Sequence, residues 1–249
     1  MFRIGIVGFG FVGQAVYGSI TPHRSEVCVY DKYKEMGSIE SINKSQIVFV
    51  CVPTPTINGV QSTEELDEVM SWLTGPLIVI KSTVLPTWFE KHPTVVYNPE
   101  FLNQNNAISD FRNQESMVIG ARADLALVLE NVYNNYFTID SDRIFCSLKE
   151  AAEFKYTHNL YHAYKALFWH YVQELTGNQR KMFSMYSKLY GTNESREMAR
   201  ICADGEPGVG GACFPKDMVA INSMFNHELT KMMIGYNSAL RTDTMEAVL

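Results

Sequence analysis

Cysteine is scarce in this chain, and its five copies (Cys28, Cys51, Cys146, Cys202 and Cys213) make an odd number with no pair at C-x-x-C spacing. That argues against a disulfide framework and a zinc site. A reducing, cytoplasmic setting is the expectation. Long hydrophobic runs are lacking as well. No segment approaches the ~18 uninterrupted apolar residues of a membrane span. The apolar run after Arg3 is broken by Gly5, Gly8, Gly10 and Gly13 and closed by no small-x-small cleavage site, so no targeting segment is expected. Basic excess is absent too: the formal net charge is −6, which argues against a nucleic-acid partner. Repeats, low-complexity tracts and long linkers are not seen.

What remains is a chain of 249 residues, 46% hydrophobic, long enough for two domains. The two halves differ in periodicity. To about residue 148, short β-rich runs alternate with helical patterns. Strands are expected at 2–7, 26–30, 46–52, 77–80, 95–97, 117–119 and 144–147. Ser62-Thr-Glu-Glu65 reads as a capping box opening a helix through Leu73. Residues 122–136 carry Leu125, Leu129 and Val132 at helical spacing. The alternation predicts an α/β, doubly wound parallel Rossmann-like sheet over residues 1–148. Beyond it the β signal disappears, and an all-helical domain is expected over 149–249. Its helices are read at 150–175, 180–190, 193–202 and from 217 to the C-terminus with a break near Asn226.

The string GFGFVG places Gly8, Gly10 and Gly13 in G-x-G-x-x-G spacing after a strand and before a helix. Gly8 permits the tight turn, Gly10 lets the backbone approach a pyrophosphate, and Gly13 lets the helix pack on the strand. The amides of Phe11 and Val12 then face phosphate at a helix N-terminus. Asp31 lies 18 residues beyond Gly13, where a carboxylate holds the adenosine ribose and repels a 2′-phosphate. NAD is therefore the expected cofactor, with Lys32, Val52, Pro53, Thr54 and Thr83 beside it.

Polar clusters stand at the ends of three consecutive strands: CVPTP at 51–55, KST at 81–83 and NPEFL at 98–102. The carboxyl edge of a parallel sheet is where ligands bind. Lys155 and Asn159 share one helix face at i, i+4. GGACFPKD at 210–217 places Cys213 after Gly210 and Gly211, four residues before Asp217. A structural cysteine has no need of those neighbours.

Taken in order, GFGFVG, CVPTP, KSTV, NPEFL, the K-x-x-x-N helix and PGVGGACFPKD resemble the UDP-glucose and GDP-mannose 6-dehydrogenase family over nearly the whole chain. The resemblance implies oxidation of a sugar C6 alcohol to a carboxylate with two NAD and one water. It implies that Cys213 is the nucleophile, Lys155 and Asn159 oxyanion donors, Asp217 a general base, Glu100 an aid to thioester hydrolysis and Thr83 a holder of water. Glu100, Phe101, Leu102, Lys155, Asn159, Arg200, Gly210 and Gly211 are the implied substrate contacts. A UDP- or GDP-linked sugar is the implied partner, with a homodimer formed through the helical domain. The sequence departs from the family pattern at Gln104, where a second glutamate is usual, at Leu85-Pro86-Thr87 and at Met117, where arginine is usual. It also ends before the family's third, nucleotide-holding domain, so a short form is expected; the alternative to an active enzyme is a non-catalytic or impaired NAD-binding dimeric protein that needs a partner chain for that domain.

No metal site is expected. His158 and His162 are at i, i+4 but have no third ligand in the pattern, and read as a packed pair among Tyr161, Tyr164 and Trp169.

Overall fold

The computed structural model describes residues 1–190 and 206–241. It divides into two compact units, Met1–Thr54 with Ser62–Lys155, and Pro55–Gln61 with Tyr156–Leu249. The expected helix at 193–202 and Arg200 lie outside the described residues.

In the first unit the strands are β1 (Phe2–Val7), β2 (Ser25–Tyr30) and β3 (Ile47–Val50). A two-residue pair from the second unit, β4 (Thr56–Ile57) and β5 (Val60–Gln61), intervenes in the chain. The first unit then resumes with β6 (Leu77–Ile80), β7 (Val96–Tyr97), β8 (Ser116–Gly120) and β9 (Asp142–Cys146). Its helices are α1 (Phe11–Ser19), α2 (Ile39–Asn43), α3 (Glu64–Trp72), α4 (Ala107–Arg112) and α5 (Ala123–Tyr136). The seven-stranded sheet has the order β2-β1-β3-β6-β7-β8-β9.

Period-two alternation builds a core on each face of this sheet. Ile4, Ile6, Phe49, Val79 and Ile119 face α1 and α5 through Ala15, Val16, Leu129 and Val132. Val7, Val48, Val50, Ile80 and Val118 face the other way, onto Ile42, Leu66, Val69, Trp88 and Phe89. Met117, the departure noted above, is buried in the first of these cores.

Two expectations need correction. The sheet is not wholly parallel: Tyr97 pairs with Gly120 antiparallel, while β8 and β9 run parallel to each other. A helix reverses the chain across a sheet only if it spans the strand length. α4 has 6 residues, about 9 Å of rise, so β8 sets off from the end of the sheet that β7 reached. The capping box at 62–65 does not form either. Thr63 is the N-cap and makes no side-chain cap bond. Its hydroxyl donates to Asp67 Oδ2 at 2.6 Å instead. Glu65 is drawn to Lys32, 2.7 Å away.

In the second unit α6 (Leu148–Thr176, begun in the first unit), α7 (Gln179–Tyr190), α8 (Phe214–Phe225) and α9 (Glu228–Leu240) are the described helices. Ala163, Leu167, Val209, Met218 and Met233 form one core cluster, and Trp169, Val172 and Phe183 another. The expected break at Asn226 is present: this residue closes α8 in the left-handed conformation at φ 50°. The β4–β5 hairpin turns at Asn58 and Gly59, both with positive φ, and was not foreseen. Its Thr56 hydroxyl donates to the Lys216 carbonyl of α8 at 2.9 Å. The Gln61 amide donates to Tyr156 Oη at 2.8 Å.

Candidate active site

The glycine loop follows β1, which lies between β2 and β3, at the point where strand order reverses. Gly8 has φ +85°, and a Cβ there would sit 2.8 Å from the Cys51 carbonyl oxygen. A Cβ at Gly13 would come within 2.0 Å of the Gly8 carbonyl, so α1 can pack on the loop only through glycine. Gly10 differs, because a Cβ there would meet nothing within 4 Å. It caps α1 without a side-chain bond, and the amide end of the helix at Phe11, Val12 and Gly13 opens onto that space. No protein atom therefore demands glycine at position 10.

Asp31 directly follows β2 and shapes the rim of this loop. Oδ2 accepts from the Phe9 amide at 2.7 Å. Oδ1 accepts from the amides of Tyr33 and Lys34 at 3.0 and 3.1 Å. Lys32 bridges Glu65 and Glu68 of α3, and these hydrogen-bonded carboxylates raise its pKa. Asp31, Lys32, Val52, Pro53 and Trp72 line a cleft that reaches Gly8. Thr54 and Thr83 are buried, and the Thr54 hydroxyl donates to the Thr83 carbonyl at 2.6 Å, tying the ends of β3 and β6 together. Ser82 Oγ adds a second tie to the Val52 carbonyl at 2.6 Å. An open glycine cradle, a helix amide end and a carboxylate at the next strand end fit the pyrophosphate and adenosine ribose of NAD.

A second cluster in the same unit joins Glu100 and Lys155. Both are buried, at 7% and 2% exposure. Lys155 Nζ donates to the Glu100 carbonyl and to Oε1 at 3.3 Å, and the Leu102 amide donates to Oε2 at 2.8 Å. Burial alone would push the Glu100 carboxyl up. The Lys155 ammonium and the Leu102 amide overcome it and hold the group below the usual carboxylate range. Phe101 packs its ring 5.0 Å from Lys155 Nζ. Gln104 is exposed on a short turn at Gln104–Asn106.

Cys213, Asn159 and Asp217 belong to the second unit. Cys213 is half-buried at the N-cap of α8, and its carbonyl accepts from the Asp217 amide at 3.0 Å. Asp217 is 1% exposed. Oδ2 accepts from Asn159 Nδ2 at 2.6 Å and Oδ1 from Lys216 Nζ at 2.5 Å. The loop before Cys213 is pinned. Gly208 takes φ +84° with its Cβ position 2.6 Å from Asn237 Oδ1. Asn237 brackets Val209 through both backbone groups, at 2.7 and 3.0 Å. The Gly208 amide donates to His170 Nε2 at 2.8 Å, which fixes that nitrogen as an acceptor. Gly210 is half-buried, and Gly211 is exposed at φ +78°.

Lys155 and Asn159 stand one turn apart on α6. His158 and His162 rings are 4.3 Å apart; His162 meets the ring of Tyr161 edge-on at 5.8 Å, as expected, and also stacks on Phe214 at 6.2 Å. Sequence reasoning gave no task to Asn98 or Lys81, although both stood inside the strand-end motifs. It gave none to His170 or Asn237, whose partners are far along the chain.

Residues 33–137 match the UDP-glucose/GDP-mannose dehydrogenase family, NAD binding domain. The match begins just past Asp31, so the glycine loop stands outside it. A UDP-glucose 6-dehydrogenase of Rickettsia bellii is 27% identical over 206 residues, covering 76% of this chain and 47% of that protein. The chain spans about half the length of the curated relatives it matches. Among solved structures, a UDP-glucose dehydrogenase from the archaeon Pyrobaculum islandicum superposes with TM-score 0.79 at 22% identity, covering 96% of this chain and 68% of that one. A 3-hydroxyisobutyrate dehydrogenase of Mycobacterium tuberculosis shares the fold with TM-score 0.69 at 15% identity, over 96% of its own length. Residues 33–137 are therefore similar to the NAD binding domain of the UDP-glucose/GDP-mannose dehydrogenase family.

Proposed function

We propose that the protein is an NAD-dependent nucleotide-sugar 6-dehydrogenase that oxidises the C6 alcohol of a UDP- or GDP-linked sugar to a carboxylate. Two NAD and one water are consumed per sugar, and two NADH and three protons are released. NAD accepts the hydride in each oxidation. The observation that carries the reading is the Asn159 Nδ2–Asp217 Oδ2 bond of 2.6 Å, made one helical turn from Cys213.

In this reading Asp217 takes the proton of the C6 hydroxyl through a water, and Asn159 and Lys155 stabilise the alkoxide as preorganised donors. Cys213 attacks the resulting aldehyde carbon. Sulfur bonds to carbon and the carbonyl oxygen takes up a proton, giving a thiohemiacetal. A cysteine at a helix N-cap has the macrodipole behind its thiolate. Loss of a second hydride leaves a thioester. Water adds to it with Glu100 assisting and Thr83 holding it, the C–S bond breaks, and the thiol is restored. The covalent link keeps the aldehyde from escaping between the two oxidations. Phe101, Leu102, Gly210 and Gly211 are the proposed substrate contacts, and Phe11, Val12, Asp31 and Lys32 the proposed cofactor contacts with the three glycines.

The reading includes a homodimer through the helical domain, taken to begin near residue 149. Tyr161, Tyr164, Phe168, Tyr171 and Leu175 support it, since all are exposed on α6 at alternating three- and four-residue spacing. Light scattering that returned the mass of one chain would reject the dimer.

The test of the reaction is NADH release from NAD with UDP-glucose, GDP-mannose and their N-acetylated counterparts. Two equivalents of NADH per sugar are expected, with Cys213→Ala forming no acid. Two equivalents persisting in that variant would overturn the thioester route. No NADH from any nucleotide sugar would overturn the assignment.

A further inference from the structure

A third charged group lies in the same unit as Glu100 and Lys155 and has no task in the chemistry above. Lys81 follows β6 directly and is 2% exposed. Its Nζ donates to Asn98 Oδ1 at 2.7 Å and sits 4.9 Å from the centre of the Phe111 ring. The same Oδ1 accepts from Tyr133 Oη at 2.6 Å, and Asn98 Nδ2 donates to the Val118 carbonyl at 2.6 Å. Asn98 is thereby fixed from the end of β6, from α5 and from β8. Two residues later the chain presents Glu100 to Lys155.

Packing does not call for an ammonium here. Methionine fills similar volume without desolvating a charge, and Tyr133 already satisfies Asn98 Oδ1. What methionine cannot supply is a second positive charge behind a buried carboxylate. Burial pulls Lys81 down to about 8, against the pull of Cys51 and Glu100 upward, with Lys155 pushing the same way as burial. Lys81 in turn helps hold Glu100 ionised, after Lys155 and the Leu102 amide. The groups facing this cluster are Cys51 at the end of β3, Tyr133 of α5 with Arg143 of β9 over its ring at 5.5 Å, and Lys155 of α6.

We propose that Lys81 is a positioning residue for the Glu100–Lys155 pair: through Asn98 it helps fix the Asn98-Pro99-Glu100 segment, and it supplies the charge that keeps the carboxylate ionised while Lys155 serves an oxyanion. The second part rests on the function proposed above. Once Lys155 turns its donors toward substrate, Glu100 loses part of its counter-charge. A fixed second cation keeps the carboxylate ready to accept the proton of the hydrolytic water.

The test is a 13C NMR titration of the Glu100 carboxyl, assigned by its loss in Glu100→Gln, in the wild type, Lys81→Met and Lys81→Arg. An upward midpoint shift of about one unit is expected in Lys81→Met, the low end of what a nearby opposite charge does to a carboxylate. Lys81→Arg returns the midpoint toward the wild-type value, and NAD binding is unchanged in both. With an active enzyme, the acid limb of the NADH-release profile moves with the titration. A Glu100 midpoint that stays put in Lys81→Met, or moves equally in Lys81→Arg, overturns the proposal. Should Lys81→Met not fold, Lys81→Gln keeps a donor to Asn98 and removes the charge, and the same readings decide. The titration requires no turnover, so a chain that oxidised no nucleotide sugar would sink the proposed reaction and leave this measurement standing.

Discussion

Replacing Lys155 by methionine separates charge from packing in the Glu100–Lys155 pair. Methionine keeps most of the aliphatic stem and deletes the ammonium. Both partners are buried, so solvent does not screen the loss. Removing one member of such a pair costs about 3–5 kcal/mol. Here the Leu102 amide still serves Oε2 at 2.8 Å, and Lys81 keeps its charge nearby, which places the expected loss at about 3 kcal/mol at pH 7.5. For a chain of this size that is roughly 6–12 °C in Tm. The sign with pH is the sharper test. In the wild type, Glu100 is held below its unfolded value of about 4.3. Its contribution is therefore present above that pH and lost as pH falls through the folded value. In Lys155→Met burial prevails and the folded value rises above the unfolded one. The variant then loses stability as pH climbs from about 4.3 through its raised folded value. Urea unfolding at acid and at neutral pH reads the gap between the two proteins. It should be small in acid and full at neutrality, and Glu100→Gln added to Lys155→Met should close most of it. A gap of the same size at both ends would mean that lost packing, not an orphaned carboxylate, is responsible.

The glycine loop gives a paired prediction. Gly13→Ala forces a methyl to within 2.0 Å of a carbonyl oxygen and should destabilise the apo protein by about 1–3 kcal/mol or more. Gly10→Ala meets nothing within 4 Å and should leave the apo melting temperature alone, yet weaken NAD about tenfold by calorimetry, because its methyl occupies the pyrophosphate's approach. Undiminished NAD binding by Gly10→Ala would place the pyrophosphate elsewhere. Cys51 supplies a third. Burial pushes its thiol up to about 12, so only about one part in ten thousand is thiolate at pH 8. Iodoacetamide at that pH should leave Cys51 unmodified by peptide mass mapping. Rapid labelling there would contradict the raised thiol.

What could be read from the sequence was local. The strands at 2–7 and 77–80 match their expected bounds because period-two alternation is a property of neighbouring residues. The break at Asn226 was legible for the same reason, since a left-handed cap is a one-residue decision. The hairpin at 56–61 was legible and missed. Asn58-Gly59 is the strongest short hairpin signal, but it follows Pro53 and Pro55, and no strand is expected at 56–61 in the reading above. The direction of β8 was not legible, since alternation marks a strand without orienting it.

The candidate site shows the same limit more sharply. The helix spacing set Lys155 beside Asn159, and the motifs around Glu100 and Cys213 drew attention to each. No local rule could pair Glu100 with Lys155, or Asn159 with Asp217, whose members are more than fifty positions apart. Those pairings follow from burial. Each carboxylate is enclosed, an enclosed charge demands a partner, and the fold offers each one a nitrogen within reach. Lys81 was passed over for the complementary reason. In the sequence it is one more lysine at a strand end, a place where solvated charge is ordinary. Only its 2% exposure turns that ordinary residue into a group whose cost must be explained. Charge that a sequence displays becomes informative when the fold removes it from water, and in the first unit that reasoning leads to Lys81, Glu100 and Lys155 together.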